Sequence, residues 1–213
     1  MTFTMKTKAA TVILTSMLLS ACGAKPVIPY VEPDGVATAK LRIVTNGQIS
    51  GAPYAGCLGD TQLMAKAGRF RRGSFSIDEP QTPAEPQNLQ MPERRSPKLP
   101  SLEGFNRLSR GPYVEVATEY RVPAGMPFML ESSGVAANHG SYSVSCKPDR
   151  KVIRFEEGKN YEAYIGLAYQ TVDEKSIPRC VFAVYELVGF GTSGLTLPRA
   201  VNAEEAADIK CAQ

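Results

Sequence analysis

The clearest pattern in the chain is a two-residue alternation between positions 114 and 122. Val114, Val116, Thr118, Tyr120 and Val122 take one parity, and Glu115, Ala117, Glu119 and Arg121 take the other. That period predicts a strand with one face on a core and the other in water. Residues 39–45 repeat the pattern with Leu41 and Ile43 on one face, and Asn46-Gly47 then reads as a turn. Residues 128–131 form a short apolar strand, and Tyr142, Val144 and Cys146 alternate with serines. Residues 151–155 are followed by Glu156-Glu157-Gly158-Lys159, a hairpin signal in which Gly158 supplies the positive φ. Tyr161, Ala163, Ile165, Leu167 and Tyr169 predict a long strand, and residues 180–188 the last clear one. Short alternating strands separated by turns argue a mainly β chain folded as an antiparallel β-sandwich.

Two segments depart from period two. Residues 60–70 predict a short helix, with Asp60 as cap and Leu63, Met64, Ala67 and Phe70 along one side. The tail from Asn202 predicts a short C-terminal helix, with Asn202 as cap, Glu205 closing a capping box and alanines following. Between about 73 and 101 periodicity disappears. Pro80, Pro83, Pro86, Pro92, Pro97 and Pro100 exclude both helix and central strand there, which predicts a long Pro-rich insertion loop.

The N-terminus has its own logic. Lys6 and Lys8 precede an apolar stretch, residues 9–19, broken only by small hydroxyl residues. About a dozen residues is too short for a membrane span, which needs about 20, and fits the h-region of a secretory signal. The stretch closes on Leu19-Ser20-Ala21-Cys22. These four residues resemble the lipobox of bacterial lipoproteins. The resemblance implies that Cys22 receives acyl chains and becomes the first residue of the mature chain, with Gly23 after it favouring the outer membrane and a periplasmic orientation. The expected organisation is a signal peptide over 1–21, a lipid-anchored tether over 22–37 and a β-sandwich domain over 38–213 that carries the insertion. Fully extended, the tether would reach on the order of 45 Å.

Without the two lysines of the signal peptide the formal charge falls from +3 to +1. A nearly neutral chain gives no electrostatic case for nucleic acid. Four cysteines remain beside Cys22, an even number that reads as disulfides in an exported chain and allows three connectivities. Cys146 with Cys180 is the favoured pair, since both lie in strand-like segments, leaving Cys57 with Cys211. No C-x-x-C spacing and a single His argue against a zinc site, and no cofactor is expected.

Catalytic readings find little to stand on. His139 sits in Asn138-His139-Gly140, which is turn chemistry. Ser132, Ser133 and Ser193 lack the G-x-S-x-G elbow. Gly189-Phe190-Gly191-Thr192-Ser193-Gly194 lacks the Lys-Ser/Thr ending of a phosphate loop and reads as a loop after the last strand. Glu156, Glu157 and Glu162 surround the predicted hairpin, where solvated charge is expected. The strongest charge feature is basic: Arg69, Arg71 and Arg72 flank Phe70, and Arg94 and Arg95 recur across the loop. This is a candidate contact patch for anionic envelope material or an acidic protein.

Val122-Pro123-Ala124-Gly125-Met126-Pro127, the run from Phe155 through Gly158 and Tyr161 to Glu162, and Cys180 after it resemble a loose group of uncharacterised proteobacterial lipoproteins. The resemblance covers roughly residues 113–188 and implies a β-sandwich without catalytic residues. The resulting expectation is a non-catalytic accessory or scaffold protein that binds a protein partner in the envelope. The alternative is a ligand-binding or inhibitory lipoprotein similar to those that block lysozymes. Ser133-Gly134-Val135-Ala136 starts as their inhibitory loop does, and Tyr142 follows later than the motif requires.

Overall fold

In a computed structural model of the chain, residues 27–68, 80–93, 115–139, 142–172, 175–190 and 195–211 are described. The strands are β1 (Thr38–Thr45), β2 (Gln48–Pro53), β3 (Gln62–Lys66), β4 (Val116–Pro123), β5 (Pro127–Ser132), β6 (Val135–His139), β7 (Tyr142–Cys146), β8 (Asp149–Arg154), β9 (Asn160–Val172), β10 (Lys175–Phe190), β11 (Leu195–Ala200) and β12 (Glu204–Glu205). They form one sheet in the order β11-β10-β9-β1-β4, a second in the order β12-β8-β5-β2-β3, and a separate hairpin β6-β7. The chain is mainly β and builds a sandwich. Among the described strands the pairings are antiparallel except β1 with β9, which is parallel from Lys40 beside Asn160 to Thr45 beside Ile165.

The alternation read in the sequence is the alternation of the core. Leu41, Ile43, Phe128, Leu130, Ile153, Tyr161 and Ile165 point between the sheets and are essentially inaccessible to water. A row of rings runs from Tyr120 through Tyr30, Phe128 and Phe155 to Tyr161, with centroids 4.9–6.0 Å apart, edge-to-face at every step except the tilted pair Phe128–Phe155. Such contacts add to plain apolar burial.

Several expectations need correction. Residues 62–66 are strand β3, not helix, with Leu63, Met64 and Ala65 all buried. A short strand covered on both faces is a continuous apolar run, which periodicity alone does not separate from a helix. The tail is extended, not helical. Glu204 and Glu205 pair with Val152 and Lys151, and the Glu205 carboxylate binds the Lys151 ammonium instead of closing a capping box. The turn at 156–159 is not a hairpin. It carries the chain from β8 in the second sheet to β9 in the first, while Gly158 does take the positive φ expected of it (71°). Asn138 and His139 end strand β6 instead of forming the turn, with His139 opposite Tyr142.

The stretch read as a free tether is docked over its second half. Leu63 donates its N–H to the Ile28 carbonyl, Tyr30 donates to the Leu63 carbonyl, and the Tyr30 ring enters the aromatic row. Residues 80–93 of the insertion hold no regular strand but are firmly placed. They start beside Lys66 on β3, pass Glu119 on β4, cross β1 and end with the Glu93 carbonyl accepting from Thr196 Oγ1 on β11. This strap therefore wraps the outer face of the first sheet.

Candidate interaction surface

The strap is held by an ion ladder formed by strand register. Arg42 on β1 stands opposite Glu119 on β4 and Glu162 on β9, so three outward positions of neighbouring strands fall in one row. The guanidinium donates from Nε and Nη2 to Glu119 Oε1 (3.0 and 2.7 Å) and from Nη1 to Glu162 Oε2 (3.1 Å). It also donates from Nη2 to the Met91 carbonyl (2.9 Å) and from Nη1 to the Pro92 carbonyl (3.1 Å). All five N–H donors of the group are thereby used. Glu119 Oε2 in turn accepts from the Leu89 and Met91 N–H groups of the strap. Burial alone would lower the Arg42 pKa, but the hydrogen bonds and charges of the two carboxylates outweigh it and raise the pKa above its ordinary value. The Arg42 charge is therefore committed to structure. Sequence reasoning missed the ladder and treated Glu162 as a solvated surface group, although it is 3% exposed.

At the Thr45 end of the sandwich the first sheet continues as an arm. Strand β9 leaves β1 after Ile165 and runs on to Val172, paired with β10 as far as Lys175. Those seven extra residues rise about 23 Å. The base of the arm is built by Asn46 and Gly166. Asn46 Nδ2 donates to the Leu167 carbonyl (2.9 Å), and the Leu167 N–H donates to Asn46 Oδ1 (3.0 Å). The amide thus extends the parallel ladder by one pair beyond Thr45. A Cβ on Gly166 would lie 2.1 Å from Asn46 Oδ1, so only glycine fits there.

The β6-β7 hairpin packs on this arm and is tied to it by the disulfide Cys146–Cys180, with Cα atoms 5.5 Å apart. The second bridge, Cys57–Cys211, fixes the tail to the β2-β3 loop (Cα atoms 5.0 Å apart). Both pairs are those expected from the sequence. Val144 is half-buried in the hairpin, while Ala136, Ser143 and Ser145 are exposed, leaving a small, polar outer face. Among the described residues no strand pairs with the free side of β9 beyond Leu167.

The remaining sequence candidates divide simply. Cys22, the basic patch Arg69, Phe70, Arg71, Arg72, Arg94 and Arg95, and Ser193 lie outside the described residues. Ser132 is buried, and its Oγ accepts from the Gly134 N–H (3.2 Å), which is turn chemistry. Glu156 lies on an exposed turn, where the hydrogen bond and charge of Lys159 lower its pKa. Among the described residues no cluster of three His, Cys, Asp or Glu is placed to hold a metal ion. An open cleft of about 500 Å³ lies between Tyr54, Pro127, Arg154, Asn202 and Glu204, where β8 and the tail part. No protein-family model matches the chain, and neither does any curated protein or solved structure.

Proposed function

We propose that the chain is a non-catalytic lipoprotein, anchored through Cys22 to the outer membrane and facing the periplasm, that binds a protein partner through its arm. The observation that carries this reading is the double hairpin at the Thr45 end, where, among the described residues, no strand pairs with the free side of β9 beyond Leu167. An open edge of that kind recognises an extended segment by main-chain hydrogen bonds. Two disulfides fit an oxidising compartment, and the lipobox ending at Cys22 fits export and acylation. The buried polar groups described above hold chain segments together, which favours a binding role over catalysis.

The inhibitory reading has one observation in its favour. Ser133-Gly134 leads directly into β6, so the Ser-Gly loop belongs to the same arm. A lysozyme inhibition assay separates the two.

Two experiments test the proposal. Intact mass of protein purified from envelopes should match the chain from Cys22 plus acyl groups, and should rise on reduction by one hydrogen for each bridged sulfur. A photo-cross-linking residue at Ser145 or Arg179, both exposed on the arm, should trap a discrete partner in intact envelopes, while one at Glu157 should not. Adducts at no arm position would refute the role of the arm.

A further inference from the structure

Seven large apolar side chains are exposed among the described residues, and five of them lie on the segment by which the chain enters the domain or on the β4-β5 turn bonded to its end, the entry corner. Val36 precedes β1, and Met126 lies in the β4-β5 turn. The Ala124 N–H donates to the Ala37 carbonyl and the Gly125 N–H to the Phe155 carbonyl, which fixes both residues at the Thr38 end. Val27, Ile28 and Val31 run beside the start of β3, where Ile28 and Tyr30 pair with Leu63 and the Val31 N–H donates to Gln62 Oε1. The five are 44–69% exposed. Leu197 on β11 and Ile209 on the tail lie apart from them.

Exposed apolar residues scattered singly need no explanation, but a group at one corner does. This corner is where the chain enters the domain. Only four residues lie between Cys22 and Val27, and the five steps between them reach at most about 17 Å when fully extended. Residues 28–32 are bound to the sandwich, so they add no slack. The corner also lies at the end of the sandwich opposite the arm, since β1 runs from Thr38 to Thr45 and β9 continues past the Thr45 end.

From these observations we infer that the entry corner, formed by Val27, Ile28, Val31, Val36 and Met126, is a membrane-contact surface that rests on the lipid bilayer and points the arm away from it. The inference builds on the reading of Cys22 as the acylated residue. Contact is apolar and not ionic. Asp34, Glu156 and Glu157 are exposed at the same end against Arg154 beside Pro127, and Lys159 there is bound to Glu156 and Glu186. Acids outweigh free bases, so the corner is not a basic patch for anionic headgroups. The arrangement turns a flexible tether into an oriented mount, with the partner edge held at a fixed side of the molecule.

The chain contains no tryptophan, so one introduced tryptophan reports alone. The acylated full-length protein, carrying Met126→Trp, Val36→Trp or Ser143→Trp, is reconstituted into vesicles of phosphatidylethanolamine and phosphatidylglycerol with brominated acyl chains. Tryptophan at 126 and at 36 should lose most of its emission and shift to the blue, equally at low and high salt, while tryptophan at 143 on the arm should do neither. Protein that floats with the vesicles but shows no quenching at 126 or 36 keeps its anchor and overturns the contact surface. Quenching at 143 overturns the orientation. Protein that does not float, with an unacylated mass, overturns the anchor and the inference together.

Discussion

Replacing Arg42 by methionine keeps the apolar stem of the side chain and removes the charge and all five donors. Glu119 and Glu162 then stay on the outer face of the first sheet, 6% and 3% exposed, without the cation between them. An exposed ion pair contributes about 0.2–1 kcal/mol, whereas removing one partner from a buried pair costs about 3–5 kcal/mol. With both carboxylates buried and the arginine side chain only 15% exposed, the larger figure applies. A loss near 4 kcal/mol corresponds to a fall in melting temperature on the order of 10 °C for a chain of this size. The strap should loosen at the same time, because the Met91 and Pro92 carbonyls lose their donors. Urea denaturation measures the first effect, and hydrogen exchange at the Leu89 and Met91 amides measures the second. Adding Glu119→Gln and Glu162→Gln to Arg42→Met should recover much of the loss, since neutral groups tolerate burial without a counterion. A cost below about 1 kcal/mol, with unchanged exchange at Leu89 and Met91, would refute the reading of Arg42 as the lock on the strap.

Gly166→Ala should cost about 1–3 kcal/mol by overpacking and detach Asn46 from β9, which a lowered urea midpoint and faster exchange at the Leu167 amide would report. Cys146→Ser with Cys180→Ser removes a bridge that closes 34 residues, worth about 4 kcal/mol on the chain-entropy model; protease cleavage should concentrate in the arm while the core spectrum is retained. Burial is the main cause that raises the phenol pKa values of Tyr30 and Tyr120 above 10.0. The folded state therefore holds those protons longer than the unfolded chain. The stability they contribute is complete below pH 10 and is lost as pH climbs towards their folded values. Tyr30→Phe should flatten that alkaline decline, and an unchanged slope in denaturation curves taken above pH 10 would count against it.

How much was legible follows from what a single chain encodes locally. Alternation at Leu41 and Ile43, at Val116 to Val122 and at Tyr161 to Leu167 fixed the inward faces, because period two is a property of one strand. The sheet in which a strand lies is not local. The turns at 123–126 and 156–159 have hairpin composition, yet each crosses from one sheet to the other. Arg42, Glu119 and Glu162 each look like ordinary outward residues, and only the register of three strands far apart in sequence brings them into one row. Tyr30 had a signal of its own, an aromatic inside a stretch otherwise poor in them, but its partners Tyr120 and Phe128 lie about a hundred residues on. Within residues 80–93, the described part of the insertion, the prolines correctly excluded helix and regular strand. They gave no sign that residues 80–93 would be strapped to a sheet, since the strap is held by carbonyls and N–H groups that every residue has.

The treatment of strand edges gives the arm its weight. An uncovered edge invites pairing with another chain, and natural sheets cover, shorten or charge their edges. The edge of β3 is paired by residues 28–30 and by Thr82, and the edge of β4 by the Gln87 carbonyl and the Glu32 carboxylate, which accept from the Glu119 and Arg121 N–H groups. Strand β12 has two residues, both glutamates, and β11 carries Pro198, which has no N–H to offer. The outer strands β3, β4, β11 and β12 are thus each met by one of these devices. In the arm, by contrast, the outer side of β10 from Lys175 to Ala183 pairs with no strand among the described residues and carries Pro178. Beyond Leu167 the free side of β9 meets none among the described residues, although the same region is stiffened by a disulfide and a dedicated Asn-Gly contact. A sandwich whose outer strands are guarded in this way, and whose disulfide-braced arm carries unpaired main-chain groups, is what motivates testing the proposed partner contact on the arm.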